Sequence, residues 1–177
     1  MIIKKIKFFS NYEKEEKWLN EMAAKGLNLI SVSFCRYGFE EGTPGEYNYR
    51  LELLDESPTH DDSKEYITFM EESGIEYIDS YMRWLYFRKK VADGTFEIYS
   101  DYKSLMKHYQ KVASSIGVVV LMNLAFAIFN LLISTFNDFN FYVSILNWII
   151  VILMTPMLIS YLRKMNGLKK DMELYDK

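Results

Sequence analysis

The sequence of 177 residues holds a single cysteine, Cys35, and only two histidines. One cysteine excludes an intramolecular disulfide, which suits a reducing compartment. The motifs G-x-S-x-G, H-E-x-x-H, the Walker loop and the Rossmann glycine fingerprint are absent as well. His60 precedes Asp61 and Asp62, but no further His or Cys lies near them in the sequence to complete a zinc site. We therefore expect no enzymatic activity, no metal and no cofactor.

Charge is missing from two long stretches near the C-terminus. Residues 112–136 and 139–162 contain no Asp, Glu, Lys or Arg. Each stretch exceeds the roughly 20 residues that a helix needs to cross a bilayer, and neither has the polar face of a helix in a soluble core. The N-terminal segment MIIKKIKFF lacks the apolar region of a signal peptide. We predict two transmembrane helices, about 112–136 and 141–162, that form a tight antiparallel hairpin.

The short turn between these two runs contains no lysine or arginine, whereas their other ends are basic. The flanking basic residues are Lys103, Lys107, Lys111, Arg163, Lys164, Lys169 and Lys170. Because Lys and Arg are enriched on the cytoplasmic side of membranes, we predict that both termini are cytoplasmic. Lys111, Arg163 and Lys164 are expected to contact lipid headgroups. So small a hairpin, without charges inside, is not expected to form a channel or transporter alone.

Three asparagines and one proline interrupt the apolar runs. Counting outward from the turn places Asn130 and Asn147 at one depth, and Asn123 lies two turns from Asn130 on nearly the same face. We predict that Asn130 and Asn147 face each other inside the hairpin; contact with another subunit is the alternative. Pro156 is tolerable in a membrane helix and is expected to kink it.

The remaining sequence predicts a cytoplasmic α+β domain over residues 1–105, followed by a juxtamembrane helix, the hairpin and a basic tail over 106–177. A helix is expected after a capping box that begins at Ser10, and a second helix over 64–73. Strands are expected at 2–9, 27–37, 47–53, 75–89 and 95–99. The segment MAAKGLNLI at 22–30 is repeated in similar form as MEESGIEYI at 70–78. Two β-α-β units in one domain predict a ferredoxin-like split βαβ sheet with an extra hairpin strand.

Candidate surfaces follow from strand alternation and charge. Trp84 and Tyr86 share one face of a predicted strand, while Arg83 and Phe87 share the other. We predict that one set packs under the helices and that the other lines an open face for a protein partner; the alternative is that both sets are core. Residues 1–111 carry 16 basic and 20 acidic groups, so direct nucleic-acid binding is not expected. Residues 52–79 contain ten acidic residues and one basic residue, Lys64. These acidic residues form either a solvated surface or a site for a basic partner.

Three segments, in this order along the chain, resemble a known family: EEKWLNEMAAKG at 15–26, GEYNYRLELL at 45–54 and WLYFRKK at 84–90. Over about residues 5–105 the chain resembles domain of unknown function family 2812, an uncharacterised bacterial family found mainly in Firmicutes. The resemblance implies a bacterial protein, and it implies no enzymatic activity. It also suggests a link to a PadR-like transcriptional regulator, since such genes often lie beside one. The Gly-Trp pair expected at both helix exits is replaced here by Gly26-Leu27 and Gly74-Ile75.

These observations together favour a multi-pass protein of the bacterial cell membrane that acts as an interaction or sensory module. Its expected partners are the lipid bilayer and a cytoplasmic or membrane protein, with a homo-oligomer left open. One alternative is an accessory subunit of a membrane complex such as an exporter, in which the hairpin makes the contact. Another is a small-ligand sensor domain, which fold analogy alone supports.

Overall fold

The computed structural model describes residues 2–99, 101–134 and 138–175. The chain divides into two compact units, Met1–Ile98 and Tyr99–Lys177. The first is a mixed α+β unit with two small antiparallel sheets, and the second is a pair of long helices. The first unit ends a little before the expected boundary at residue 105, because Asp101 caps the next helix by accepting hydrogen bonds from two backbone N–H groups.

The first unit contains two β-α-β-β halves that follow one another in the chain. The first half comprises β1 Ile3–Ile6, α1 Tyr12–Ala23, β2 Leu27–Ser33 and β3 Arg36–Glu41. The second half comprises β4 Tyr47–Leu53, α2 Asp61–Glu72, β5 Glu76–Tyr81 and β6 Trp84–Lys90, followed by a 3-10 turn at Val91–Asp93. Each half forms its own three-stranded sheet, with strand orders β1-β3-β2 and β4-β6-β5.

The internal repeat seen in the sequence is confirmed by matching backbone features. Gly26 and Gly74 follow the two helices with φ values of 77° and 78°, a conformation that glycine adopts without a Cβ penalty. The strand register then shifts at Ile30 in β2 and at Ile78 in β5. At Gly26 a side chain is also excluded by space, since a Cβ there would lie 2.8 Å from the Gly42 carbonyl oxygen.

Two predicted single strands are hairpins in the structure. The stretch 27–37 contains β2, a turn at Phe34 and Cys35, and the start of β3; the stretch 75–89 contains β5, a turn at Met82 and Arg83, and β6. Residues 95–99, all described, form no strand. The ferredoxin-like arrangement is therefore not confirmed, because each half contributes three strands to a separate sheet.

Helix α1 supplies the centre of a core to which both sheets contribute residues. Its buried residues Trp18, Leu19, Met22 and Ala23 pack with inner residues of both sheets. Those sheet residues are Leu29, Tyr37, Phe39, Tyr49, Leu51 and Tyr86. The sheets lie side by side along β2 and β5, where the Val32 N–H donates to Asp79 Oδ2 at 2.7 Å. The helix begins one residue later than predicted, since Asn11 caps it and not Ser10.

Helix α2 covers the opposite face of sheet β4-β6-β5. Met70 of α2 packs with Leu85 and Phe87 of β6, and Phe96 from the segment after the 3-10 turn completes this second core. The two helices therefore cover opposite faces of the neighbouring sheets. Neither α1 nor α2 packs on the face of sheet β1-β3-β2 that points away from α1.

The second unit consists of α3 Tyr102–Ile133 and α4 Asp138–Tyr175, which pack along each other. By length and composition both could cross a bilayer. Helix α3 joins the predicted juxtamembrane and membrane segments without a break, and α4 continues through Pro156 into the basic tail. Residues 138–140 of the predicted turn belong instead to the first turn of α4, and Phe136 and Asn137 lie outside the described residues.

Candidate functional site

The segment EEKWLNEMAAKG forms most of α1, and its first glutamate links the helix to both sheets. The hydroxyls of Tyr37 in β3 and Tyr86 in β6 donate to the same Glu15 oxygen, Oε1, at 2.8 and 2.6 Å. Burial raises the pKa of the Glu15 carboxyl, and the two hydroxyl bonds oppose this rise. Burial, followed by the charge of Glu15, also raises the pKa of both tyrosines. The two hydroxyls therefore remain protonated donors at neutral pH.

Two further residues of the segment cover the unpaired edge of β4. The Asn20 side-chain amide accepts from the Tyr49 N–H at 2.8 Å and donates to the Tyr49 carbonyl at 3.1 Å. Glu16 accepts from the Leu51 N–H at 3.1 Å and lies 3.3 Å from Arg50. Because an unpaired strand edge leaves backbone groups that must be satisfied or shielded, these side chains act as a substitute for a neighbouring strand. The polar residues of this segment therefore hold the fold together.

The residues predicted to bind a partner lie in or beside the two cores. Trp84 is half-buried and stacks on Tyr12 with ring centroids 5.0 Å apart, and Tyr86 is buried under α1. Phe87 is fully buried under α2, and half-buried Arg83 donates to the Asp55 carbonyl at 2.8 Å. The open face expected on this strand is absent, since helices cover both of its sides. Trp84, Tyr86 and Phe87 therefore lie in or against a core, Arg83 lies outside both cores, and partner binding by these four residues stays a prediction.

An exposed surface lies instead where the β2–β3 and β5–β6 hairpin turns meet. The Phe34 and Tyr81 rings are 6.2 Å apart, yet Phe34 remains 67% exposed and Met82 74% exposed. This surface is not predicted from the sequence because neither turn carries Gly, Pro, Asn or Asp. One signal points to it: predicted strands of 11 and 15 residues are much longer than the usual five or six.

The acidic residues within 52–79 gather partly on the outer side of α2. Asp62, Glu65, Phe69 and Glu72 are all exposed and recur at spacings of three and four residues, which places them on one helix face. Phe69 is 62% exposed. The inner side of α2 holds Met70 in the second core, so the acidic side is turned outward.

The helical hairpin packs through a regular seam of buried and half-buried residues. Spacings alternate between three and four on both helices, as in an antiparallel coiled coil. On α3 the seam comprises Met106, Tyr109, Ala113, Ile116, Val120, Asn123, Ala127 and Asn130. On α4 it comprises Asn140, Ser144, Asn147, Val151, Met154, Leu158 and Tyr161. A polar contact joins the two helices along it, the hydrogen bond from buried Ser144 Oγ to the Ala127 carbonyl at 2.8 Å.

This register does not bring Asn130 opposite Asn147, contrary to the prediction. Ser144 is level with Ala127, so Asn147 comes roughly level with Asn123, and Asn130 lies seven residues, about 10 Å, further along the axis. The discrepancy arises because α3 ends at Ile133 and α4 begins at Asp138, each three residues before the predicted bound. Each of the three asparagine amides donates to a carbonyl of its own helix at 2.8 Å. All three are half-buried on the seam, while Pro156 is exposed.

The predicted headgroup residues lie at one end of the helix pair, where the start of α3 is beside the later part of α4. Lys164 Nζ lies 5.5 Å from the Tyr109 ring centroid and 5.1 Å from that of Tyr161. Lys111 is half-buried and Arg163 is exposed. Close by in α3, His108 is buried and hydrogen-bonded to Tyr99. Basic and aromatic residues together are typical of a membrane interface.

The potential metal ligands of the first unit include His60, at the start of α2. Its Nδ1 lies 3.8 Å from Asp62 Oδ2. Across the described ranges 2–99, 101–134 and 138–175, no group of three or more His, Cys, Asp or Glu side chains could hold a metal ion. Cys35 is half-buried in the first hairpin turn, with a φ of 57°.

A known protein family matches more than half of the chain. The family described as "Protein of unknown function (DUF2812)" matches residues 11–121. This range covers α1, α2, five of the six strands and the first part of α3, so it reaches further toward the C-terminus than the resemblance in the sequence suggested. No curated protein and no solved structure matches the chain.

Proposed function

The chain belongs to the DUF2812 family, whose description assigns no activity, and we propose that it is a membrane-anchored interaction module. In this proposal α3 and α4 form a membrane hairpin with both termini in the cytoplasm. The first unit then acts on the cytoplasmic side by binding a protein partner through the acidic outer side of α2.

The observation that carries the anchor is the apolar outer surface of the two helices. Leu121, Leu132 and Leu153 are 66%, 70% and 66% exposed, and most other outward residues between 117 and 159 are also apolar. Such a surface is stable in lipid and unfavourable in water. The seam between the helices is filled by side chains, which favours an anchor over a conduit.

The charge distribution supports the orientation. Helices α3 and α4 run antiparallel, so the lysines before the first run and the basic residues after the second gather at one end of the pair. The opposite end has Asp138 as its only charged described residue. Because Lys and Arg favour the cytoplasmic side, the basic end is placed there.

The acidic side of α2 supports a basic protein partner. Asp62, Glu65 and Glu72 share one helix face with the exposed Phe69 ring. This face combines a negative field with an apolar side chain of the kind enriched in protein interfaces. A DNA-binding protein presents basic residues for phosphate contacts. A PadR-like regulator, the protein suggested by the family resemblance, is therefore a partner of fitting charge.

Site-directed photo-crosslinking in native membranes tests this proposal. The full-length chain would carry benzoylphenylalanine in place of Phe69, and crosslinked proteins would be identified by mass spectrometry. We expect a basic protein whose crosslink is lost in Glu65→Lys/Glu72→Lys. The matched control, Glu40→Lys/Glu41→Lys, makes the same charge change at exposed positions of β3 and should retain it.

Equal crosslinking in both double variants would refute the acidic docking site. If partner capture instead depends on replacing Leu121, Leu132 and Leu153 by other apolar residues, the hairpin makes the contact. The accessory-subunit interpretation would then replace the present one. Absence of the chain from the membrane fraction would refute the anchor itself.

A further inference from the structure

The face of sheet β1-β3-β2 that points away from α1 carries apolar residues at the N-terminal strand. Ile6 is 80% exposed, and Ile2 and Phe8 are 61% and 72% exposed. They alternate along the chain with Ile3 and Phe9, which pack against the core of α1. This alternation means that Ile6 points away from the core, because its neighbours already fill the inner face.

Basic side chains are interleaved with these apolar residues. Lys4 and Lys7 are exposed on the N-terminal strand and just after it, and exposed Arg36 lies opposite Ile6 in the strand register. Lys7 lies on the other side, where its ammonium is 4.9 Å from the ring centroids of Phe9 and Trp18 of the α1 core. The acidic residues of β3, Glu40 and Glu41, lie at its other end.

The hairpin turns extend the same region with two more exposed apolar side chains. The Lys7 N–H donates to the Cys35 carbonyl at 3.0 Å, which joins the end of β1 to the first turn. Phe34 in that turn contacts Tyr81, which precedes Met82 in the second turn. We call this region the tip surface, defined by Ile6, Phe8, Phe34 and Met82 with Lys4 and Arg36.

We propose that the tip surface docks on an anionic phospholipid surface. Its combination of protruding aromatic and aliphatic side chains with lysine and arginine is the chemistry by which proteins lie on membranes: the apolar groups enter the headgroup boundary and the cations meet lipid phosphates. The acidic side of α2 would be repelled by the same lipids, so binding through the tip surface keeps α2 accessible to the cytoplasm.

Charge complementarity favours lipid over a second copy of this chain. In a two-fold symmetric dimer the same patch meets itself. Lys4 and Arg36 would then approach their own copies, and like charges at an interface oppose association. A bilayer containing phosphatidylglycerol supplies the missing negative charge.

The test uses the full chain reconstituted in vesicles, with an environment-sensitive dye at a single cysteine. Cys35→Ser removes the native thiol, and Phe34→Cys then places the dye in the tip surface. In phosphatidylcholine vesicles that contain phosphatidylglycerol, the emission should shift to the blue and be quenched by nitroxide-labelled lipid. In phosphatidylcholine alone, or at high salt, both effects should fall to a fraction of these values.

Matched variants isolate the tip surface. Phe69→Cys in the Cys35→Ser chain places the same dye on α2, at a residue of nearly equal exposure, and should report water in both vesicles. Lys4→Glu/Arg36→Glu should abolish the shift at position 34, while Lys64→Glu on α2 should leave it unchanged.

Three further outcomes would contradict lipid docking or the anchor. A dye at position 34 that reports water in anionic vesicles overturns the proposal, even when the chain floats with the vesicles and the anchor is intact. A blue shift that follows the protein-to-lipid ratio, and not the lipid charge, identifies a second copy as the occupant and also overturns it. A chain that does not float with vesicles refutes the anchor separately.

Discussion

Replacement of Asn20 by alanine should destabilise the first unit far more than its partly exposed position on α1 suggests. The Asn20 amide satisfies both the N–H and the C=O of Tyr49, whose side chain is fully buried. In Asn20→Ala the carbonyl keeps its 3.0 Å bond from Arg50, but the N–H loses its acceptor. An unsatisfied buried donor costs about 1–3 kcal/mol, so we expect a loss of about 2 kcal/mol.

The assay is urea unfolding of the full chain in a mild detergent, followed by tryptophan fluorescence. Trp18 and Trp84 both lie in or against the core of α1 and report on the first unit, while Trp148→Phe removes the signal from α4. For a unit of this size a loss of about 2 kcal/mol corresponds to a fall in Tm of about 10 °C.

Two matched variants decide whether the edge contact is the cause. Lys17→Ala changes an exposed residue of the same helix and should alter stability by less than about 0.5 kcal/mol. Asn20→Asp keeps the acceptor for the Tyr49 N–H but places a carboxylate beside the Tyr49 carbonyl, so it should also destabilise. If Asn20→Ala is as stable as Lys17→Ala, the amide does not act as a substitute strand.

Three further predictions concern separate parts of the chain. Burial raises the pKa of Glu15 above 4.5. As pH rises from about 4.5 through the raised pKa, the native chain should therefore lose stability relative to Glu15→Gln, and the difference should then level off. Parallel pH profiles of the two unfolding free energies would contradict this. In the hairpin, Ser144→Leu should disrupt the seam because Ser144 and Ala127 are buried against each other, whereas Ser144→Ala should lose only about 0.6 kcal/mol. Thermal unfolding of the helices, followed by circular dichroism, compares the two variants, and equal stability would exclude a close contact. For topology, in a Cys35→Ser background, Asp138→Cys should react with an impermeant maleimide in intact cells and Asp62→Cys only after lysis; the reverse pattern would reject the orientation.

Helix predictions succeeded where periodicity, caps and glycine stops agreed. The buried positions Trp18, Leu19 and Met22 have helical spacing in the sequence, and α1 buries all three. Gly26 and Gly74 end the two helical segments as the repeat predicts, because each residue takes a positive φ. The two apolar helices could be predicted equally well, since their length and lack of charge are read from the sequence without tertiary information.

Strand predictions failed at the turns and at the faces. Cys35 and Met82 have φ values of 57° and 56°, which non-glycine residues seldom adopt, so no local signal marks them as turn residues. The surrounding sheet imposes these conformations through its register. Tertiary structure also decides the environment of Trp84 and Tyr86. Alternation assigns both residues to one strand face, but only the position of α1 shows that this face is covered.

The sequence by itself determined the family, the internal repeat, the mixed α+β character of the first unit and two helices apolar enough to cross a membrane. These properties depend on composition and on spacing along the chain, which are local. Only the tertiary structure decided that the repeat forms two separate sheets, that α1 covers the edge of β4, and that Ser144 meets Ala127 in the hairpin. These contacts join residues far apart in sequence, and a register change of a few residues alters every one of them.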